Sequence, residues 1–201
     1  MRQTFDIRKM ENAVVDSLRR AVGGSLSTIK QRVNGVLTDV PAVVRSNTLS
    51  STNGKPAPRP SFPYIAVTYT GQTDAHDFSS LRRELDEDAN LTYETEISVR
   101  LRVSVYGSDE NTTDNIANQA AFAFKTDVIR NFIDREYGDE AGLLVKTVGD
   151  VLPTGIIYNN VETEVREFDV IFAVKNRITY DLEEIGYFRE VLISDFNVKI
   201  K

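Results

Sequence analysis

Cysteine is absent from the chain, which excludes disulfides, thiolate metal sites and cysteine nucleophiles and suits a reducing compartment. Histidine is almost absent: His76 stands alone, with Asp74 and Asp77 beside it. Two carboxylates next to a histidine could mark a metal corner, but in a charged loop they also meet by chance, so the segment reads as a polar loop. Long apolar runs are missing too. The opening MRQTFDIRKMENAVVDSLRR is charged every few residues and has no apolar signal-peptide core, and no stretch approaches the ~18 apolar residues of a membrane span. The expectation is a soluble protein, not classically secreted, with no membrane partner. On that basis the Asn-x-Thr sequons at Asn90 and Asn111 read as polar turns.

What is present is enough for a core. With 201 residues, 41% of them apolar and 9% aromatic, the chain suits one domain of ordinary size, spanning residues 1–201. The net charge of -6 is unevenly spread. Residues 1–60 hold ten Lys/Arg against four Asp/Glu, and residues 61–201 hold fourteen against twenty-six, giving balances of +6 and -12. A basic arm on an acidic body can lie on that body, reach a neighbouring copy or meet another acidic partner. A tight nucleic-acid binder needs a basic face with interleaved aromatics, and no such cluster occurs. A tight grip on DNA is therefore not expected.

Ile7, Met10, Val14, Leu18 and Val22 recur at spacings of three and four, after a cap at Thr4 or Asp6 and before Arg19, Arg20 and Gly23-Gly24. This is an amphipathic helix. SLSTIKQRVNGVLTDVPAVVRS is ambiguous between a further helical turn, an Asn34-Gly35 turn and a short strand near Val40–Val44. NTLSSTNGKPAPRP has the composition of an extended arm, at about residues 45–62, that cannot bury enough to fold alone. Pro60 and Pro63 then straighten the entry to a strand from Tyr64, in which Ile65, Val67 and Tyr69 alternate with Tyr64, Ala66 and Thr68. Both of its faces want cover. In ETEISVRLRVSVYG, Ile97, Val99, Leu101, Val103 and Val105 face one way and Ser98, Arg100, Arg102 and Ser104 the other.

Gly107 ends that strand, and a long helix follows with the stripe Ile116, Ala120, Phe124 and Val128, flanked by Ala117, Ala121, Ile129 and Phe132. GLLVKTVGDV, VREFDVIFAV and REVLISDFNV read as later strands, with Phe168, Val170, Phe172 and Val174 the clearest alternation. The fold class is α+β: a largely antiparallel sheet covered by the N-terminal helix and the long central helix.

Chemistry is sparse. Asp86-Glu87-Asp88, Glu94 and Glu96 have the residue types of acid/base pairs, but nothing sets them in an apolar pocket, so they read as a solvated or intersubunit face. Gly23-Gly24-Ser25 follows a helix instead of a strand and lacks the Lys-Ser/Thr of a phosphate loop, so it reads as a helix terminator. No catalytic, metal or cofactor residue is assigned. Arg82, Arg83, Arg100 and Arg102 are the best charged anchors for a protein partner, joined by Arg59 of the basic arm; ordinary surface charge is the alternative.

The order of these features resembles the tail terminator (neck terminator) proteins of tailed bacteriophages. The likeness rests on the Pro-x-x-Pro-Tyr entry at Pro60–Tyr64, on the VSVYG strand running into NIANQAAFAFKTDVIRNFI, and on the final strand after LEEI. It covers most of residues 5–200 and is weakest over 25–55. The resemblance implies a structural virion protein without cofactors, assembled in the host cytoplasm. It would form a homo-oligomeric ring, commonly a hexamer, that caps the tail tube at its set length. Its partners would be the tube protein, in contractile tails the sheath, and the neck or head-completion proteins, with DNA passing through unread. Other neck, head-completion or tube proteins, and an accessory enzyme with an intersubunit site, are the rival readings. The long arm departs from the pattern. It would clasp a neighbouring subunit without offering an open strand edge, or its prolines simply blunt the sheet edge.

Overall fold

Asp6 starts the first helix by accepting hydrogen bonds from the Arg8 and Lys9 amides at 2.8 and 3.2 Å, and α1 runs from Ile7 to Val22. It buries Met10, Val14, Leu18 and Val22, the predicted stripe. The computed structural model describes residues 2–3, 6–46, 59–74, 82–85, 90–137, 144–158 and 161–181. A short 3-10 turn at Gly23–Ser25 ends the helix, as the Gly-Gly pair predicts.

The ambiguous segment resolves into strands. β2 (Thr28–Val33) and β3 (Val36–Pro41) pair antiparallel as a separate two-stranded hairpin. Asn34 and Gly35 at its tip have φ of 50° and 83°, the positive values that a two-residue I′ turn requires of both central residues. The further helical turn does not form within 26–46. β4 (Val43–Arg45) follows at once and pairs parallel with β5 (Tyr64–Asp74).

The main sheet has nine strands among the described residues, with the path β1–β11–β7–β5–β4. Here β1 is Arg2–Gln3, β6 is Arg82–Leu85, β7 is Asn90–Gly107, and β11 is Val161–Asp181. β7 and β11 pair antiparallel along the full 18 residues of β7, from Glu164↔Gly107 to Asp181↔Asn90. β6 lies beside β7, and β1 beside β11. β8 (Leu144–Val148), β9 (Leu152–Pro153) and β10 (Ile156–Tyr158) also pair with β11. All these pairings except β4–β5 are antiparallel, so the fold class matches the expectation.

One face of the sheet lies under the helices. Ile65 and Val67 of β5, Ile97 to Val105 at odd positions of β7, and Phe168, Val170, Phe172 and Val174 of β11 are all buried against it. Burying each large apolar side chain contributes about 1.5–3 kcal/mol before chain entropy is subtracted. Phe124 meets Phe168 and Phe172 edge-on, at centroid distances of 6.1 and 6.2 Å. The strand-to-helix turn is tight: a Cβ on Gly107 would lie 1.9 Å from Thr113 Oγ1, so only glycine fits where the next helix folds back.

The long central helix comes as two. α2 (Glu110–Lys125) is capped by Asp109, which accepts from the Thr112 amide at 2.8 Å, and α3 spans Asp127–Tyr137. Between them Thr126 is extended at φ -104° and ψ 166°, its amide bonded to the Phe122 carbonyl and its hydroxyl to that of Ala123. The break rotates the stripe: Ile129 and Ile133 are buried, whereas Val128, predicted as a stripe position, is 59% exposed. The strand expected in REVLISDFNV and most of the proline-rich arm, residues 47–58, lie outside the described residues.

Candidate interaction surfaces

The second face of the sheet carries polarity and a small aromatic cluster. Tyr64 is stacked between Phe62 and Tyr106, with centroids at 5.8 and 4.6 Å, and with Ala42 and Ala66 it forms a second buried cluster. Ile29, Val44 and Tyr106 pack around it. This is the second cover that β5 wants. The lead itself is not the straight entry that the prolines suggest: the Phe62–Pro63 peptide is cis and residues 62–63 bend into β5. Ser27, at the foot of the hairpin, donates from its amide to the Pro63 carbonyl at 2.9 Å and from its hydroxyl to the Ser61 carbonyl at 2.5 Å. Pro60 and Pro63 contribute no amide donors to this lead, and its contacts with Ser27 run through the Ser61 and Pro63 carbonyls.

Further along this face the charges pair across strands. Ser104 donates to Glu167 at 2.7 Å, and Arg102 grips Asp169 through Nε and Nη2 at 2.9 and 3.4 Å. Lys175 lies 3.5 Å from Glu94, and Lys146 lies 3.6 Å from Glu96. The ion pairs among these that lie open to water, such as Lys146–Glu96, add little stability.

Of the predicted anchors, Arg100 is exposed opposite Ile171, and Arg102 is exposed but engaged by Asp169, whose hydrogen bond raises the arginine's pKa. Arg59 is exposed and acts on Tyr106. Burial first, then Glu167, raises the Tyr106 pKa, and Arg59 opposes them. Arg82 and Arg83 lie on β6, opposite Glu94 and Tyr93 of β7; their side chains lie outside the described ones. The structure thus groups Arg100 and Arg102 on one polar face. Glu94 and Glu96 are partnered on that same sheet, while His76, Asp77 and Asp86–Asp88 fall outside the described residues.

Three ionisable side chains that the sequence did not single out have tertiary roles. Arg166 occurs where β11 should present an apolar residue to the helices, and its side chain is only 6% exposed. It donates to Glu164 at 2.9 Å, to Glu110 at 3.2 Å and to Asp114. A cation at a helix N-terminus meets the positive end of the dipole, and the two carboxylates from the first turns of α2 offset that. The hydrogen bond to Asp114 raises its pKa most. Arg19 joins three elements: Nη1 to Asp16 at 3.1 Å, and Nη2 to Gln31 of β2 at 2.7 Å and to the Val43 carbonyl of β4 at 2.9 Å. Desolvation lowers its pKa. Glu11 is buried 3.8 Å from Arg45, and burial raises its pKa despite that arginine. Only the alternation broken at Arg166 could have pointed to such a role; Arg19 reads from sequence as an ordinary last-turn cation.

Among the described residues no three His, Cys, Asp or Glu side chains converge on a possible metal position, and no helix is long and apolar enough to cross a membrane. The clefts are open and surface-lying. What the geometry offers is binding surface: a ribbed polar sheet face, a projecting hairpin and partly exposed helices. A sequence model of the phage neck terminator proteins matches residues 14–198, all but the two ends. The chain belongs to the phage neck terminator family. No curated protein matches it. As a phage neck terminator it is a structural component of the phage neck, and its working contacts are with other tail and neck components.

Proposed function

We propose that this neck terminator assembles as a closed homo-oligomeric ring of six copies at the top of the tail tube, stops tube growth, and joins the tail to the head or neck. The match over residues 14–198 carries the reading. The surfaces described above support it, because a ring needs complementary patches on one chain and no bond chemistry. To stop a polymer, the ring must bind the tube end more favourably than the next tube subunit does, then present a different surface upward. Its partners are the tube protein, the sheath where there is one, and the neck or head-completion proteins. DNA passes through the ring without specific binding, and no catalysis is involved. The chain acts as a single domain, consistent with β1 and β11 sharing one sheet. Arg59, Arg82, Arg83, Arg100 and Arg102 contribute to the subunit or partner interfaces.

Loss of the protein should leave DNA-filled heads beside unattached tails whose tubes overrun their normal length. Electron microscopy of a null-mutant lysate tests this. Tails of uniform, normal length already joined to heads would defeat the terminator role and favour a head-completion or accessory one.

A further inference from the structure

Among the described residues the exposed large apolar side chains are Phe62, Val128 and Leu144, which stand apart, and five others gathered at two places. The first is the hairpin tip, where Val33, Val36 and Leu37 are 41%, 65% and 62% exposed. Among the described residues the hairpin pairs with no third strand, and two strands alone are marginally stable in water. It is nevertheless held: Arg19 bonds Gln31, and Ser27 is tied to the lead before Tyr64. A firmly based hairpin with a greasy tip is built as a projecting knob. The second place is a shallow groove of about 520 Å³ between α2 and the turn from β8 to β9, lined by Asn118, Gln119, Phe122, Lys125, Asp150 and Val151. Phe122 is 66% exposed there, and the neighbouring Leu152 is 61% exposed.

We infer that the hairpin tip of one copy docks into the α2/β8–β9 groove of the next copy. The inference rests on the self-assembly reading above and names its contact. The hairpin runs directly into β4, the last strand of the sheet path, whereas β8 and β9 pair with β11 on the side away from β7. Knob and groove therefore lie beyond opposite edges of one sheet, with β5, β7 and β11 between them. A contact between such surfaces is head-to-tail, the type that closes into a ring when the rotation per subunit permits. Charge favours a second copy as the occupant. The hairpin carries Lys30 and Arg32 against Asp39, the register partner of Lys30, and brings that small positive excess, from the third of the chain with a balance of +6, to a body with a balance of -12. Asp150 waits in the groove itself, where Lys125 is the opposing charge. Burying three aliphatic side chains against Phe122 and Val151 supplies the apolar centre, with the asparagine and glutamine side chains as a polar rim.

Because the chain has no cysteine, cross-linking has no background. Val36→Cys and Phe122→Cys proteins carrying different affinity tags are mixed at high concentration, oxidised and run without reductant, with each variant oxidised alone as control. The expected product is a disulfide between the two variants, in several-fold excess over either same-variant pair. Leu37→Asp, which changes only the exposed tip, should abolish assembly measured by light scattering while leaving the thermal midpoint unchanged. Rings that form without the mixed disulfide and survive Leu37→Asp would overturn the docking contact and leave the ring reading standing. A chain that neither assembles nor cross-links at any concentration would overturn both. If Leu37→Asp spares self-assembly but abolishes binding to purified tail tubes, the knob belongs to the tube protein and the inference is wrong.

Discussion

Glu11 is a carboxylate on the face of α1 that buries Met10 and Val14, and the helical stripe alone would have put an apolar residue there. Burial raises its pKa from the ordinary 4.5, with Arg45, the Tyr69 backbone and Arg8 pulling weakly the other way. The folded state therefore holds this proton more tightly than the unfolded chain. Through the interval between the two pKa values the native state binds the extra proton, so Glu11 makes stability fall as pH rises, and above the folded value the loss stays constant. Glu11→Gln should remove that slope. Thermal unfolding of both proteins between about pH 4 and pH 7 reads it as a difference that grows in favour of the variant with rising pH. A variant that loses more stability at neutral than at acid pH would show that the pair with Arg45 outweighs desolvation.

At the scale of elements, the break at Thr126 separates what periodicity can tell from what it cannot. The 3.6-residue stripe through Ile116, Ala120 and Phe124 is observed, because one uninterrupted helix keeps its phase. A single extended residue resets that phase, and nothing in FKTDVIRNF announces it beyond a threonine and an aspartate that also suit a helix start. The two registers make opposite predictions. Val128→Ala, on the exposed side, should change stability by no more than about 0.5 kcal/mol. Ile129→Ala, at a fully buried position, should cost about 2–5 kcal/mol. Denaturant unfolding of the two variants distinguishes them, and equal losses would mean the helices run on without a break. The hairpin was hidden for a related reason: its burial is so slight that neither alternation nor a stripe marks it, and only Asn34-Gly35 gave a signal.

For the whole molecule, the uneven charge is the feature with the longest reach. The basic first third contains α1, the hairpin, β4 and the arm, and the acidic remainder contains most of the sheet. Within one copy Arg45 and Arg19 pair with Glu11 and Asp16 of that same first third, so these contacts leave the asymmetry between the two parts untouched. If the arm clasps a neighbour, replacing residues 47–58 by a Gly/Ser linker of equal length should leave the unfolding midpoint unchanged and weaken the ring. Sedimentation velocity over a concentration series measures this. Rings as robust as those of the intact chain would leave the prolines with no role beyond blunting a sheet edge.

The amphipathic α1, the β5 strand with two apolar faces, the two-faced β7 and the Phe168–Val174 alternation were legible in the residue order, since each depends on local periodicity and caps. The polar face of β7 was visible from Arg100 and Arg102, but not that Asp169 would occupy Arg102, because that pairing spans 67 positions and needs the β7–β11 register. The same holds for Arg166 beneath α2, for Arg19 across helix, hairpin and edge strand, and for the knob and groove on opposite sides of the sheet. Long-range pairing depends on which strands become neighbours, and that is settled by the collective burial of the whole core, which no single segment encodes.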